Sequence, residues 1–309
     1  MNKNLRPKIG LALSGSGNRT AFYIGFLEKL DEAKIPIDYI AAMSGGSLVA
    51  AAYACGSLEE FKKWGLGINK LEVKKYVTKS NNRGGLYSLA LLEEQMRVFT
   101  KGLTFEEARP QMSFVAVDIE NGEQVILCMG DIARAATISC TLPGAFEPVK
   151  WGGRTLVDGG LLSQIPIDVL KNAGVDITIG VNMRGTKHIF TPGQINAKKI
   201  INLFKKYLFI DKATSWFHEL FNEEEKFDFS KKPGIFSVLG KSLDIAIKAS
   251  QQADSNNAEA DLIITPSVYT LKRSEFDDKE NVYFYEIGKK IAGENISKIK
   301  DLIKSKSAL

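Results

Sequence analysis

The sequence predicts an α/β fold: an open, largely parallel central sheet with helices on both faces, in one domain over 1–309 that carries a mainly helical insertion over 186–260. Three observations predict it. Short apolar runs alternate with helix-period segments, the pattern of a sheet wound by crossover helices. Glycines cluster where several of these runs end, as strand-to-helix turns require. The 309 residues, 44% of them hydrophobic, suffice for one large domain or two small ones, and no repeat or low-complexity linker divides them.

Taken in order, "KIGLAL" is a short apolar strand that ends in a glycine-rich turn, Ser14 to Gly17. A helix follows from about Thr20 to Ala33, with Phe22, Ile24, Phe26, Leu27 and Leu30 as its apolar face. "DYIAAM" is the second strand and runs into a helix from Gly46 to about Cys55. Ser57 with Glu60 three residues on predicts a capping box for the next helix. "LALLEEQMRVF" is helical again. "MSFVAVDIENGEQVILCM" reads as a β-hairpin with Asn121-Gly122 as a tight turn, and Asp131 as the cap of "IARAATIS". "RTLVDGG" is a strand that ends in glycines, "VDITIGVNM" a further buried strand, and "VYFYEIGKKIAGENISKIKDLI" a closing amphipathic helix.

Residues 186–260 differ in tone, being charged, aromatic and mostly helical until "ADLIITP". On a helical wheel, "AKKIINLFKKYL" puts Ile200, Leu203, Phe204, Tyr207 and Leu208 on one face, and Lys198, Lys199, Asn202, Lys205 and Lys206 on the other. A surface helix covering the core has this pattern. So does a basic, aromatic helix that touches lipid headgroups or caps a site, with Lys198, Lys199, Lys205 and Lys206 as its membrane contacts.

Composition narrows the function. A net charge of +5 fits an anionic surface such as membrane lipid and does not demand nucleic acid. Three widely spaced cysteines, Cys55, Cys128 and Cys140, read as buried free thiols rather than a disulfide framework or metal site. Two histidines, His188 and His218, leave no histidine-rich metal centre. The basic N-terminus lacks the apolar stretch of a signal peptide, and no apolar run reaches the ~18 residues of a membrane span. A cytoplasmic, soluble or surface-associated protein is expected.

Three short stretches carry the chemistry. Ser44, between "DYIAAM" and a glycine pair, is either a helix cap or a nucleophile on a sharp strand-to-helix elbow, with Gly46 where a Cβ would meet neighbouring backbone. "SGSGNR" opens the first helix and suits an anion, either a phosphate or the oxyanion of an acyl intermediate. A dinucleotide-binding reading stays open, with Asp38 at the right distance but Thr20 where a third glycine is wanted. "LVDGG" sets Asp158 at a strand end; Asp-Gly alone is a turn signal. In an open α/β sheet, sites gather at the carboxyl ends of strands, where all three stretches fall.

With these stretches in hand, a resemblance is clear. "LALSGSGNRTAFYIGFLEKL" resembles the glycine-rich oxyanion segment of patatin-like phospholipases, "IAAMSGGSLVAAAYACG" their nucleophile elbow, and "LVDGGLLSQIPIDVL" their aspartate motif. "SCTLPGAFEPV" is similar to the segment that precedes that motif, and "EADLIITP" fits near the end. The resemblance covers most of the chain, least of all residues 186–240. It implies a patatin-like fold and a Ser–Asp dyad, with Ser44 as nucleophile and Asp158 as general base. It also implies an oxyanion hole from the amides of Gly15, Ser16 and Gly17, and an Arg19 that braces the loop. The implied activity is lipid acyl hydrolysis, of the phospholipase A or lysophospholipase type, through an acyl-serine intermediate. The implied partner is a phospholipid or other fatty-acyl ester, with no metal or organic cofactor and no nucleic acid. Ser16, Thr20 and Ala42 stand where the family has glycine, which puts turnover and acyl-pocket width in question. Acyl transfer by the same dyad, a nucleotide-binding module and an inactive lipid-binding protein are the alternatives. His188 follows Asp158 in the order of a Ser-Asp-His triad and is the alternative base. Head group, acyl position and oligomeric state are not legible.

Overall fold

The computed structural model describes residues 6–17, 19–80, 84–163, 165–183, 238, 242, 260–266 and 278–307. Along the chain come β1 (Ile9–Leu13), α1 (Ala21–Glu32), β2 (Tyr39–Ala42), α2 (Gly45–Ala54), α3 (Leu58–Gly67), α4 (Lys70–Tyr76), β3 (Thr78–Lys79), β4 (Gly85–Ser88), α5 (Ala90–Thr100) and β5 (Gln111–Asp118). β6 (Glu123–Leu127), α6 (Ile132–Ile138), β7 (Gly144–Phe146), β8 (Val149–Trp151), β9 (Arg154–Asp158), α7 (Ile167–Asn172), β10 (Ile177–Val181), β11 (Leu262–Ile264) and α8 (Asp278–Ser307) follow.

The central sheet sets β11, β10, β1, β2 and β5 side by side, all parallel. Beyond β5 the sheet changes character. Phe114 is paired with both Ala42 of β2 and Leu127 of β6, and Ala116 with both Val125 of β6 and Asp158 of β9. A strand residue has only two edges. β6 therefore lines one edge of β5 while β2 and β9 share the other, running toward each other. β8 adds antiparallel to β9. A separate small sheet, β3–β4–β7, was not legible in the sequence.

Alternation along the strands feeds two cores. Leu11, Leu13, Ile40, Ala42, Phe114 and Ala116 face α1, α2, α6 and α8. Ala12, Ala41 and Val115 face Ile167, Val169 and Leu170 of α7. Helices thus cover both faces, as the sequence predicts. α8 lies against α1 closely enough that a Cβ on Gly288 would sit 2.0 Å from the Phe22 carbonyl oxygen, and one on Gly25 2.1 Å from that of Tyr285. Both obstacles are backbone, so a side chain there must push the helices apart. Gly288→Ala is expected to lower stability by about 3 kcal/mol, the upper range for overpacking. A urea titration followed by circular dichroism checks it, and an unchanged midpoint contradicts the packing.

Local expectations fare unevenly. Asp131 caps α6, its carboxylate accepting from the Arg134 amide at 3.0 Å. The Ser57–Glu60 capping box does not form, because Ser57 lies at φ −126°, ψ 23°, outside the extended region from which its hydroxyl would reach the first turn. The Asn121-Gly122 hairpin closes with four residues rather than two: Asp118 pairs with Glu123, and the Gly122 amide returns to the Asp118 carbonyl at 2.8 Å. All three cysteines are free, but only Cys55 is buried; Cys140 is half-buried and Cys128 exposed, at the open end of β6. Among the described residues no helix is long and apolar enough to cross a membrane. The helical insertion over 186–260, with Lys198, Lys199, Lys205, Lys206 and His188, lies outside the described residues but for three positions.

Candidate active site

The glycine-rich loop leaves β1 where the sheet order reverses: β10 lies on one edge of β1 and β2 on the other. This is the crevice in which open α/β sheets bind ligands. Its first residue is tied down. The Ser14 amide donates to the Val181 carbonyl at 3.2 Å, its hydroxyl accepts from the Met183 amide at 2.8 Å, and the Tyr23 hydroxyl donates to its carbonyl at 2.7 Å. Arg19 braces the loop through the Ser16 carbonyl, which accepts from both the Arg19 amide at 3.2 Å and its Nε at 3.1 Å. Gly17 takes φ 59°, whereas Ser16 avoids positive φ, so its side chain adds no backbone strain. The hydroxyls of Ser16 and Thr20 lie 3.3 Å apart, and Thr20 donates to the Gly17 carbonyl at 2.9 Å. Two of the three departures from glycine therefore pair with each other. Among the described residues nothing accepts a hydrogen bond from the amides of Gly15, Ser16 or Gly17. Three such donors at a helix start favour an anion.

Ser44 is not a helix cap. Its side chain makes no capping bond to α2, and its backbone stands at φ 52°, ψ −135°, a conformation that L-residues rarely adopt. Strain of this kind costs about 1–3 kcal/mol and persists only where neighbours over-determine it. They do so from both sides. The Ser44 amide donates to Ser139 Oγ at 3.0 Å, and the Ser44 carbonyl accepts from Ser47 Oγ at 2.6 Å and from the Ser47 amide at 2.9 Å. Glycine is needed beyond it. A Cβ on Gly46 would meet the Ser14 carbonyl oxygen at 3.0 Å and Leu13 Cβ at 3.1 Å. A Cβ on Gly45 would meet Ser16 Oγ at 2.4 Å and Thr20 Oγ1 at 2.6 Å. The elbow and the glycine-rich loop are thus in direct contact. The sequence reading singled out Gly46 and passed over Gly45, where the packing is tighter.

Asp158 closes β9, buried, with Oδ1 accepting from the Gly160 amide at 2.8 Å. Register brings it to Ser44. Ala42 stands opposite Phe114 and Asp158 opposite Ala116, on one edge of β5. The carboxyl ends of β2 and β9 thus face each other across two residues of β5, roughly 7 Å. A Cβ on Gly159 would sit 2.4 Å from the Val115 carbonyl oxygen, so only glycine lets the chain turn away over β5. Cys140 lies beside this gap. Burial pushes its thiol pKa well up, and the Asp158 charge pushes it further, so the thiol stays protonated.

Loop, Ser44 and Asp158 thus converge, whereas Asp38 does not join them. It precedes β2 at the amino end, accepting from Arg6 Nη1 at 2.6 Å and from the Ile9 amide at 2.8 Å. Burial opposes its charge, but these bonds outweigh it and hold its carboxyl below the usual range. A ribose-binding acid belongs at the carboxyl end of that strand, and Asp38 is roughly 15 Å of strand away from the loop. The dinucleotide reading fails on this geometry.

The family model described as patatin-like phospholipase matches residues 11–171, which hold all three chemistry-bearing stretches. An NTE family protein of Mycobacterium tuberculosis, itself uncharacterised, is 28% identical over 181 residues, 59% of this chain and 50% of its own. The chain thus spans about half the length of the first mycobacterial relatives it matches. The lysophospholipase NTE1 of Debaryomyces hansenii is 25% identical over 259 residues, 79% of this chain but 15% of its own. The crystal structure of VipD from Legionella pneumophila superposes with a TM-score of 0.51 at 13% identity, over 95% of this chain and 67% of that one. That likeness concerns the fold. With the family model spanning more than half of its residues, the chain belongs to the patatin-like phospholipase family.

Proposed function

We propose that the chain is a lipid acyl hydrolase working through Ser44 and Asp158. The observation that carries the reading is the uncapped, strained Ser44, whose neighbours Gly45 and Gly46 pack against the loop in which, among the described residues, three amides have no acceptor. Asp158 accepts the Ser44 proton as Ser44 Oγ attacks an ester carbonyl, and the amides of Gly15, Ser16 and Gly17 stabilise the oxyanion. The alcohol leaves with a proton, and Ser44 holds the acyl group. Water, deprotonated by Asp158, then attacks the acyl-enzyme and releases the fatty acid. The substrate is a phospholipid or lysophospholipid; membership of a phospholipase family and similarity to a lysophospholipase support that class.

The test is fatty-acid release from vesicles of mixed phospholipids and from lysophospholipid micelles, read by mass spectrometry. Free fatty acid is expected, with a stoichiometric block by a fluorophosphonate attached to Ser44. Neither release nor labelling would end the reading. Peripheral membrane contact through Lys198, Lys199, Lys205 and Lys206 is a separate part of the proposal, supported by their shared face on the helical wheel. Changing the four to Glu is expected to abolish flotation with anionic vesicles. Unchanged flotation removes that helix from the account.

A further inference from the structure

The segment Ser139–Thr141, at the end of α6, has no part in the chemistry proposed above, yet each of its residues touches the parts that hold Ser44 or Asp158. The gap where β2 and β9 face each other leaves the Val115 carbonyl of β5 without a strand beside it. Ser139, fully buried, fills that gap with one atom: its Oγ donates to the Val115 carbonyl at 2.6 Å and accepts from the Ser44 amide at 3.0 Å. The hydroxyl stands in for the missing rung between β2 and β5. Two residues on, the Thr141 carbonyl accepts from the Asp158 amide at 2.9 Å. Between them, Cys140 Sγ lies 3.8 Å from Ser47 Oγ, which reaches the Ser44 carbonyl.

We infer that Ser139 is a positioning residue for the reaction: its hydroxyl clamps the Ser44 amide to β5 and, with Thr141 on the Asp158 amide, fixes the spacing of nucleophile and base. The inference rests on the Ser44–Asp158 reading. The physical reason is torsional. The angle φ of Ser44 is a rotation about its N–Cα bond, and an amide pinned by a buried hydroxyl cannot swing to a relaxed value. Without that bond the elbow relaxes, Ser44 Oγ leaves the line between Asp158 and the loop amides, and a displacement of about 1 Å at a reacting atom costs roughly 100-fold in rate.

The experiment compares Ser139→Ala, Ser139→Thr and Ser139→Val with wild type by fluorophosphonate labelling of Ser44 and by steady-state lipolysis, below the melting transition of every variant. Thr and Val add the same bulk at this buried site and differ in the hydroxyl, so packing cancels between them. Ala and Val are expected to label about 100-fold more slowly than wild type but to the same endpoint. kcat is expected to fall while KM holds, with Thr restoring at least about tenfold over Val. A merely structural role would lower the endpoint, through a misfolded fraction, and leave the rate alone. Equal rates for Thr and Val, or a wild-type rate for Ala, overturn the inference while leaving Ser44 as nucleophile. Failure of the wild type to label at Ser44 overturns the catalytic reading itself, and this inference with it.

Discussion

Ser44→Ala is expected to abolish fatty-acid release, by at least about 10⁴-fold, and to leave the fold intact. The size follows from the acyl-enzyme route: without the hydroxyl no covalent intermediate forms, and what is left is the modest acceleration that an oxyanion site gives to water alone. The intact fold follows from the hydrogen bonds. The Ser44 side chain makes no capping bond, while its amide and carbonyl, which do hold the elbow, belong to the backbone that alanine keeps. Ser44→Gly separates chemistry from stability further. Glycine tolerates φ 52° without strain, so this variant should be as inactive as alanine yet more stable than it by about 1 kcal/mol. Fatty-acid release on lysophospholipid and thermal melts of the three proteins check both halves. Residual lipolysis within tenfold of wild type in either variant would remove Ser44 from the mechanism, and an alanine variant that melts far below wild type would assign the hydroxyl a structural role instead.

The α/β architecture was legible because hydrophobic burial writes it with period 2 in the strands and period 3.6 in the helices. β1, β2, β5, β9 and β10 were each readable as apolar runs, and α1 from its apolar face. Two things escaped. β3, β4, β7 and β8 run from two to four residues and lie outside apolar runs such as the one that marks the equally short β2. The sharing of one β5 edge by β2 and β9 depends on strand direction and register, which arise from pairing between residues far apart in the chain. Nothing in "RTLVDGG" taken alone says that it runs against β5.

The site was legible in its reacting groups and illegible in its supports. Ser44, Asp158 and the glycine-rich loop announce themselves because glycines are demanded where backbones crowd, as at Gly46 and Gly159. The hydroxyl of Ser139 carries no such mark. A serine at the end of a helix is commonplace, and its use becomes visible only once Val115 and Ser44 are brought to either side of it. The departures Ser16 and Thr20 likewise look like independent losses of glycine in the sequence. They are a hydrogen-bonded pair packed on Gly45. The loop can carry them because Ser16 keeps negative φ and Arg19 anchors its carbonyl.

Asp158→Asn is expected to lose lipolysis, and read beside His188→Ala it separates a dyad from a triad. Asparagine has the same shape and still offers an oxygen to the Gly160 amide, so the turn after β9 survives and the variant folds. What it loses is the ability to take a proton. A serine hydroxyl is a poor nucleophile unless a base removes that proton as the bond forms, and general-base assistance is worth about 10²–10⁴-fold. In a dyad the same carboxylate must also activate water for deacylation, so both steps slow together and no acyl-enzyme accumulates. The expected result is a loss toward the upper end of that range, with fluorophosphonate labelling slowed in parallel and KM little changed. In a triad the aspartate would only orient a histidine. His188→Ala would then be as inactive as Asp158→Asn, whereas the dyad leaves it fully active. Measured side by side, Asp158→Asn is inactive under both mechanisms, and His188→Ala alone answers differently: active in a dyad, inactive in a triad. An active Asp158→Asn would defeat both.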